Sequence, residues 1–328
     1  MTTIVAGGAG FVGSHLCDRL IAEGEEVICI DNLATGRVAN IAPLLGCSAF
    51  QFLRHDIVEP LPALPPIDRI YHLASPASPA AYRRCPVETL RANSEGTRRL
   101  LEIAARHHAR ILFASTSEVY GDPLEHPQRE NYRGNVSSIG PRAMYDEAKR
   151  YGEALTAVFD ETHGVATRIA RIFNTYGPRM DPDDGRIVSN FVVQALRNQP
   201  LTVYGDGSQT RSFQYVDDLI AGLVRLMESD FAGPVNLGNP AEFTVLDFAM
   251  LVRDLTQSDS RIEFRPLPVD DPKRRRPDIS LAKSVLGWEP RVPVPTGLTH
   301  TIAYFRQELE RHRIAPLEPA LAVAQVAD

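Results

Sequence analysis

The apolar positions in the first half of the chain follow two alternating patterns. Segments whose apolar residues recur every three or four positions, such as residues 89–108, predict helices. Five short, almost wholly apolar runs each predict a buried strand, at residues 2–6, 26–30, 50–54, 69–73 and 111–114. Strands that alternate with helices in this way favour an α/β fold with a doubly wound parallel sheet.

Three glycines follow the first predicted strand at intervals of three residues. Gly7, Gly10 and Gly13 precede a helical pattern that stops at Gly24. This spacing permits a tight turn, close approach of a bare backbone to a pyrophosphate, and close packing of helix on strand. A glycine-rich turn without a ligand is the alternative, but the strand–turn–helix context favours a dinucleotide-binding Rossmann domain. The predicted cofactor contacts in this loop are Gly7, Gly10, Phe11, Val12 and Gly13.

Asp31, just after the second predicted strand, bears on the choice of dinucleotide. A carboxylate there accepts hydrogen bonds from the adenosine ribose and repels a 2′-phosphate, so NAD is favoured over NADP. Arg37 is the opposing feature, because a guanidinium would attract that phosphate, and we give Asp31 the greater weight. The other predicted cofactor contacts follow the second, third and fourth strands: Asn32, Thr35, Gly36, Arg37, Asp56, Ile57, Leu73 and Ser75.

Tyr145 and Lys149 are four positions apart in a helical pattern, so their side chains share one face. A free phenol titrates near pH ~10, so its pKa must fall by roughly 3 to approach neutrality. A nearby ammonium and the positive ring of an oxidised nicotinamide would lower the pKa of Tyr145. The pair then predicts a general base for a sugar hydroxyl whose carbon loses hydride. The same spacing also occurs on solvated helices, so the interpretation depends on the cofactor site.

Polar residues follow the fifth predicted strand at Thr116, Ser117 and Glu118. Ligands of open α/β sheets bind at the carboxyl ends of the strands, which places these residues beside the glycine loop. They could instead cap the following turn, but the downstream Tyr–Lys pair favours a catalytic group. His72, inside the fourth strand, is expected to be a packed or hydrogen-bonded histidine and not a base.

Composition and charge exclude several classes of protein. The 328 residues are 44% hydrophobic and 23% charged, as in globular proteins large enough for two domains. The net charge of −6 argues against a general nucleic-acid or anionic-membrane binder. Four cysteines without a ligand pattern predict reduced thiols and no metal. No apolar run reaches 18 residues and the first strand starts at residue 2, so we expect no membrane span, no signal peptide and a cytoplasmic location.

Together these features resemble the extended short-chain dehydrogenase/reductase family, whose members bind NAD and act on nucleotide-sugars. The longer runs resemble the branch of that family that decarboxylates UDP-glucuronate: residues 71–79, 114–123, 139–142, 170–180 and 184–191. The similarity extends from about residue 3 to about residue 309.

The resemblance implies a role for each residue of the predicted centre. Thr116 would hydrogen-bond the sugar hydroxyl, Tyr145 would deprotonate it, and Lys149 would orient the nicotinamide ribose and lower the pKa of Tyr145. Ser117 stands where related 4,6-dehydratases carry an aspartic acid that protonates a departing hydroxyl, which argues against dehydration. Glu118 argues against simple 4-epimerases, which usually lack it.

The resemblance also implies the substrate contacts. Asn174, Asn190, Tyr204 and Arg211 match positions that hold the UDP part, and Arg186 offers a second place for a carboxylate. Without the resemblance, Tyr204 and Arg211 could equally be surface residues of the second lobe. In the basic run at residues 273–276, a solvated loop is the ordinary interpretation. The resemblance instead places one arginine of the run, Arg275, in the active site, where it would select the substrate carboxylate.

The implied reaction oxidises C4 of UDP-glucuronate, loses CO₂ from the resulting β-keto acid, reprotonates C5 by way of Glu118 or Arg275, and reduces C4 again to give UDP-xylose. One alternative releases NADH and a UDP-4-keto-pentose; others are a nucleotide-sugar dehydratase or epimerase. A catalytically silent NAD-binding sensor is an alternative of a different class. The resemblance further implies a homodimer through the helices near residues 93–107 and 143–163.

The chain is expected to divide into two lobes after Gly177, where proline and aspartate become frequent. Residues 1–178, with 212–238 returning, would form the NAD-binding Rossmann domain. Residues 179–211 and 239–314 would form a smaller α+β lobe for the nucleotide-sugar, and residues 315–328 a disordered tail. Asp217 and Asp218 are expected to cap the returning helix.

Overall fold

A computed structural model describes residues 1–266 and 274–314. Its strands are β1 (Thr2–Ala6), β2 (Glu26–Asp31), β3 (Phe50–Arg54), β4 (Arg69–His72), β5 (Arg110–Thr116), β6 (Thr167–Ile172), β7 (Thr175–Tyr176), β8 (Leu201–Tyr204), β9 (Thr210–Ser212), β10 (Gln214–Tyr215), β11 (Pro234–Leu237), β12 (Glu242–Thr244), β13 (Ile262–Arg265) and β14 (Arg274–Arg275). Its helices are α1 (Phe11–Ala22), α2 (Val38–Ile41), α3 (Pro79–Arg84), α4 (Pro86–Arg91), α5 (Thr97–His107), α6 (Ala143–His163), α7 (Ile187–Leu196), α8 (Val216–Glu228), α9 (Val245–Thr256), α10 (Ser280–Leu286) and α11 (Val294–Ile314).

The central sheet has seven parallel strands in the order β11-β6-β5-β4-β1-β2-β3. Successive side chains of a strand point to opposite faces, so neighbouring residues enter different cores. Ile4 of β1 packs in one core with Leu100 of α5, whereas Val5 packs in the other with Leu16 of α1 and Leu219 of α8. Helices therefore cover both faces, which confirms the predicted doubly wound α/β fold.

The fifth strand is longer than its apolar run suggests. The run at residues 111–114 predicts the middle of β5, but pairing with β6 continues through Ser115 and Thr116. These polar residues remain in the sheet because backbone hydrogen bonding, unlike burial, does not depend on an apolar side chain. Thr116 thus ends on the rigid edge of the sheet, and a short 3₁₀ helix, Ser117–Tyr120, follows it.

The predicted helix at residues 89–108 contains a distortion. Helices α4 and α5 are joined by a π-helical segment, Ala92–Gly96. Asn93, which is fully buried there, donates hydrogen bonds to the Ser75 hydroxyl (2.8 Å) and the Thr89 carbonyl (2.8 Å). The extra residue of a π turn thereby ties this helix to the loop that follows β4.

The smaller sheets lie in the second half of the chain. Strand β9 pairs with β12 and β14, β8 pairs with β13, and β7 pairs with β10. The indole of Trp288 is buried and donates to the Asp218 carbonyl (3.0 Å). The prediction that Asp217 and Asp218 cap α8 is wrong, because the helix begins after Tyr215 without a side-chain cap. The Asp218 carboxylate instead accepts from the backbone N–H groups of Arg291 and Val292 (2.9 Å each) and so fastens a later loop to this helix.

The structure also bears on the predictions about membrane spans, metal ions and cysteines. No helix in residues 1–266 and 274–314 is both long and apolar enough to cross a membrane. The same ranges hold no group of three or more His, Cys, Asp or Glu side chains suited to a metal ion. The four cysteines are unpaired, and Cys17 and Cys29 are buried. The predicted tail at 315–328 and Lys273 lie outside the described residues.

Candidate active site

A cavity of about 820 Å³ runs along the carboxyl edge of the sheet, from the glycine loop to the region between the two halves of the chain. Most of the predicted site residues line it: Gly7, Gly10, Phe11, Val12, Gly13, Asp31, Asn32, Thr35, Gly36, Arg37, Asp56, Ile57, Leu73, Ser75, Thr116, Ser117, Glu118, Tyr145, Lys149, Asn174, Arg186, Arg211 and Arg275. The fold therefore brings together residues as far apart in sequence as Gly7 and Arg275.

The glycine loop is shaped by close backbone contacts. Gly7 has a φ of +81°, and a Cβ there would lie 2.7 Å from the backbone nitrogen of Ala74. A Cβ on Gly13 would lie 2.1 Å from the Gly7 carbonyl oxygen. Neither contact tolerates a side chain, so the glycines are required for the strand to turn tightly into α1. The N-terminus of α1 is left facing the cavity.

Asp31 is fixed at the end of β2 by two backbone hydrogen bonds. Its carboxylate accepts from the N–H groups of Ala9 (3.0 Å) and Leu33 (2.8 Å). Burial raises the pKa of Asp31, while these two hydrogen bonds oppose that shift. A Cβ on Gly36 would lie 2.7 Å from the carboxylate, so the loop from residue 33 to 37 closes directly over it.

Arg37 does not face the cavity as an uncompensated cation. Its guanidinium pairs with Asp181 at 2.6 Å and lies 3.9 Å from Glu308. Asp181 belongs to the segment that leaves the Rossmann sheet, and the same segment is held by an Arg179–Asp18 pair (2.7 Å) and by a contact of 3.0 Å between His15 Nε2 and the Pro178 carbonyl. Asp181 thus neutralises Arg37, the residue whose charge would favour NADP.

Tyr145 and Lys149 are both buried on the face of α6 that meets β5. The Lys149 ammonium donates to the Ala114 carbonyl (2.7 Å) and lies 5.9 Å from the centre of the Tyr145 ring. Burial lowers the pKa of Lys149 to about 7, against the attraction of Glu153. Burial also raises the pKa of Tyr145, although a hydrogen bond with Thr116 works in the opposite direction.

These two shifts differ from the expectation that Lys149 acidifies the phenol. Both side chains are buried in the same place, and desolvation disfavours the phenolate of Tyr145 and the ammonium of Lys149 alike. In the chain by itself the pKa of Tyr145 is therefore not lowered. The sequence suggests two sources of positive charge that could lower this pKa, the Lys149 ammonium and the ring of an oxidised nicotinamide. The second is present only when the cofactor is bound.

Glu118 forms the centre of a buried group of charges. Its carboxylate pairs with the guanidinium groups of Arg142 and Arg275. Although burial alone would raise it, the pKa of Glu118 is held below its ordinary value by the charges and hydrogen bonds of both arginines. Arg275 also donates to the Gly121 carbonyl (3.1 Å). The group lies beside Tyr145 and opens into the cavity.

The short strand β14 decides which residue of the basic run enters the site. It pairs in parallel with β9, with Arg274 opposite Thr210 and Arg275 opposite Arg211. Because strand residues alternate, Arg275 is 5% exposed whereas Arg274 points into solvent. The side chain of Arg276 is 41% exposed and lies 3.6 Å from Glu242.

The predicted contacts for the UDP part fall into two groups. Asn174, Arg186 and Arg211 line the main cavity, where Arg186 pairs with Asp184 (2.6 Å). Asn190 and Tyr204 do not line it, and lie instead at a more open pocket of about 400 Å³ with Gln194 and Thr202. The structure therefore does not bring all five residues into one place.

Three residues of the site were not singled out from the sequence: Tyr82 and Asp146, which are buried, and Arg142, which is partly buried. The ring of Tyr82, in α3, stacks on that of Tyr145 with centres 5.1 Å apart. Arg142 and Asp146 flank Tyr145 on α6 and join the Glu118 group. The i, i+4 spacing of Arg142 and Asp146 was a usable signal for their pairing, but no local pattern connects Tyr82 with Tyr145.

His72 is fully buried and bonded to Thr97, with Nε2 2.9 Å from its hydroxyl. Burial and then the charge of Lys149 lower its pKa to about 3. The packed, hydrogen-bonded histidine expected from the sequence is therefore the one observed.

The cavity fits a dinucleotide. It is continuous from the N-terminus of α1 past the Asp31 carboxylate to Lys149, so a pyrophosphate, a ribose and a second ribose each meet a suitable group. The Lys149 ammonium has three N–H donors, and one of them is used by Ala114. A Rossmann sheet with this cavity and a Thr116/Tyr145/Lys149 centre defines a dinucleotide-dependent enzyme that acts on an alcohol or ketone.

The chain belongs to the NAD dependent epimerase/dehydratase family, whose model matches residues 3–238. It is 56% identical over 306 residues to UDP-glucuronic acid decarboxylase 1 of Arabidopsis thaliana, covering 93% of this chain and 70% of that protein. It is also 56% identical over 307 residues to UDP-glucuronic acid decarboxylase 1 of Danio rerio, covering 94% and 73%.

Solved structures show the same fold. A UDP-glucose 4-epimerase from Thermotoga maritima, with UDP-glucose, superimposes with a TM-score of 0.87 at 31% identity over 94% of this chain and 100% of that one. A UDP-glucuronic acid 4-epimerase from Bacillus cereus, in complex with UDP-glucuronic acid and NAD, gives a TM-score of 0.83 at 30% identity over 94% and 100%.

Proposed function

We propose that this protein is an NAD-dependent UDP-glucuronate decarboxylase that forms UDP-xylose. One observation carries the proposal beyond the family: the ion pair of the buried Arg275 with the partly buried Glu118 shares one cavity with Thr116, Tyr145 and Lys149. Thr116, Tyr145 and Lys149 suit the oxidation of a sugar hydroxyl, and the Arg275 guanidinium beside them suits a sugar that bears a carboxylate. The names of the relatives at 56% identity support the same substrate.

In the proposed reaction Tyr145 takes the proton of the C4 hydroxyl and Thr116 holds the same oxygen. Lys149 binds the cofactor ribose and, while it is protonated, favours the phenolate of Tyr145. Bound NAD would supply reversible hydride acceptance at C4, so the reaction as a whole would involve no net redox change. Asp31 and the glycine loop orient the cofactor.

Once C4 is a ketone, the C6 carboxylate is β to it and leaves as CO₂ when its bonding electrons move into the C4 oxygen. Thr116 and the protonated Tyr145 donate hydrogen bonds to that developing oxyanion, which is where stabilisation lowers the barrier. Arg275 orients the carboxylate, and a proton reaches C5 by way of Glu118 or Arg275. Ser117 offers no strong acid for a departing hydroxyl, which disfavours dehydration.

Substrate binding is proposed to involve Asn174, Arg186 and Arg211 in the main cavity, with Asn190 and Tyr204 at the neighbouring pocket.

The division into a Rossmann domain and a nucleotide-sugar lobe, and the cytoplasmic location, stay predictions. We also propose a homodimer through the helices near residues 93–107 and 143–163, of which α6 exposes the apolar residues Tyr151 and Val158.

The test is incubation of the full chain with UDP-glucuronate, with CO₂, the nucleotide-sugar product and NADH measured together. We expect equal amounts of CO₂ and UDP-xylose with no accumulation of NADH. CO₂ with a UDP-4-keto-pentose and matching NADH would favour the alternative that stops early. A 4-keto-6-deoxy sugar from UDP-glucose or dTDP-glucose, or no CO₂ from UDP-glucuronate, would overturn the proposal.

A further inference from the structure

The buried charges around Glu118 include a residue with no role in the proposed reaction. Arg142 shares the Glu118 carboxylate with Arg275, each arginine taking one oxygen. Arg142 lines the same cavity as Tyr145, and its backbone carbonyl accepts the N–H of Tyr145 (2.9 Å) at the start of α6. The two guanidinium groups therefore approach the site from opposite sides of one carboxylate.

Asp146 lies one helical turn beyond Arg142 and is 6% exposed. One of its carboxylate oxygens is 3.8 Å from Arg142 Nε, too long for a hydrogen bond. Within the part of the chain that the structure describes, the other oxygen of Asp146, Arg142 Nε and Arg275 Nε are buried without hydrogen-bond partners. Polar atoms buried in this way call for a ligand or a bound proton.

The net charge of this cluster depends on whether Asp146 carries a proton. Arg142 and Arg275 contribute two positive charges and Glu118 one negative charge. If Asp146 carries a proton the cluster has a net charge of +1, which matches one carboxylate of a ligand; if Asp146 is ionised the net charge is zero. A buried carboxylate is stabilised beside a cation that has no other counter-ion, and it is repelled by a second anion.

We propose that Arg142 and Arg275 together form the site for the C6 carboxylate, and that Asp146 is a positioning residue whose proton keeps this site cationic. The inference rests on the proposed function and adds two specificity-determining residues to it. Arg142 bonds the carboxylate of the sugar directly. Asp146 acts through Arg142, because its ionised form would occupy the same guanidinium.

The surroundings of Asp146 favour its protonated form near neutral pH. Burial first, and then the negative charge of Glu118, raise its pKa to about 7, against the lowering effects of Arg142 and Arg275. Glu147, on the same helix, adds to the rise, and the rings of Tyr82 and Tyr145 also lie close. As pH increases through this range the cluster loses its net charge, so affinity for a carboxylate should fall while affinity for a neutral sugar should not.

The experiment compares two ligands that differ in the carboxylate, UDP-glucuronate and UDP-xylose. Binding is measured by calorimetry from pH 6 to 9 on full-length protein that carries Tyr145→Phe, so that the substrate is not consumed. In this background the affinity for UDP-glucuronate relative to UDP-xylose should fall about tenfold per unit above pH ~7, as for one ionising group. Asp146→Asn should abolish that fall, whereas the neighbouring Glu147→Gln should keep it.

Arg142→Gln should weaken UDP-glucuronate roughly tenfold to a hundredfold at pH 6.5, the range for one charged hydrogen bond, and change UDP-xylose less than about twofold. The double variant Arg142→Gln with Asp146→Asn replaces both the guanidinium and the carboxyl group beside it, and serves if the single variant does not fold. Arg142→Lys should recover part of the affinity. Burial also lowers the pKa of Lys149 to about 7, but Lys149 is kept in Asp146→Asn, so the comparison separates the two groups.

Equal weakening of both ligands in the Arg142 variants would mean that Arg142 only supports the helix, and would overturn the inference. A fall with pH that survives Asp146→Asn would overturn the role of Asp146. Either result leaves CO₂ release by the parent protein intact, whereas failure of the proposed function appears as no CO₂ release from UDP-glucuronate by that parent.

Discussion

At the scale of single residues, the chemistry depends on the Tyr145 phenol. Its surroundings disfavour both the phenolate of Tyr145 and the ammonium of Lys149. Tyr145 and Lys149 were found from their spacing, and the cavity places them beside Thr116 as expected. The direction of their pKa shifts could not be read from spacing, because it depends on burial by residues distant in sequence. Desolvation by the assembled site outweighs the attraction of one cation for one phenolate.

Replacement of Tyr145 by phenylalanine should therefore abolish proton transfer and little else. We expect turnover to fall at least about a hundredfold, while folding and bound NAD are retained. The measurements are the rate of CO₂ release, the thermal midpoint and the NAD content after gel filtration. Tyr151→Phe is the matched control, because Tyr151 lies on the same helix but is exposed. Near-normal turnover of Tyr145→Phe would remove this residue from the mechanism.

The basic run offers a second test at this scale. Arg275→Ala should abolish decarboxylation and leave UDP affinity nearly unchanged, because the residue is buried beside Glu118 in the part of the cavity that we assign to the sugar carboxylate. Arg274→Ala and Arg276→Ala should change binding and stability by no more than roughly 1 kcal/mol, since Arg274 is exposed and Arg276 makes only a partly exposed ion pair with Glu242. CO₂ release and UDP binding are assayed on the three variants side by side. An essential neighbour with a dispensable Arg275 would contradict the assignment.

At the scale of elements, the sequence predicted the first five strands because each carries a short apolar run, and it missed features that depend on tertiary contacts. The end of β5 at Thr116 is set by pairing with β6, and the burial of Arg275 by its register against β9. The ion pair between the loop after β2 and the segment after β7 joins Arg37 to Asp181, residues 144 positions apart (181 − 37). No periodicity in the sequence reports such a contact.

This ion pair leads to a prediction about cofactor choice. NAD should bind far better than NADP, because Asp31 repels a 2′-phosphate and Asp181 neutralises the guanidinium that would attract it. Asp181→Asn should raise the affinity for NADP relative to NAD by about fivefold, the effect of one partly exposed charge pair. Dinucleotide binding to the protein freed of cofactor, measured directly, tests this. Asp183→Asn, an exposed neighbour, is the control, and an unchanged ratio in Asp181→Asn would argue that Arg37 lies outside the reach of the 2′-phosphate.

At the scale of the whole molecule, the site is made by two parts of the chain that bury charge between them. Glu118 comes from the 3₁₀ helix after β5, Arg142 from the position just before α6, Asp146 from α6 itself, and Arg275 from a strand formed more than a hundred residues later. A fold that assembles such a cluster loses free energy wherever a buried carboxyl group must ionise without full compensation. The stability of the protein should therefore record the protonation of Asp146.

The sign follows from the two states of that carboxyl group. Its ordinary pKa is 3.8, and burial followed by the charge of Glu118 raises it to about 7 in the folded protein. Between these values the folded state holds a proton that the unfolded state has lost, so this contribution to stability is full below pH ~4 and is lost as pH rises to about 7. Asp146→Asn should escape the loss, gaining about 1 to 4 kcal/mol over the parent at pH 8 relative to pH 4. Urea unfolding across this range, with Glu147→Gln as control, measures the difference. A gap between variant and parent that does not change with pH would show that Asp146 is ionised throughout, and that the cluster is neutral before any substrate arrives.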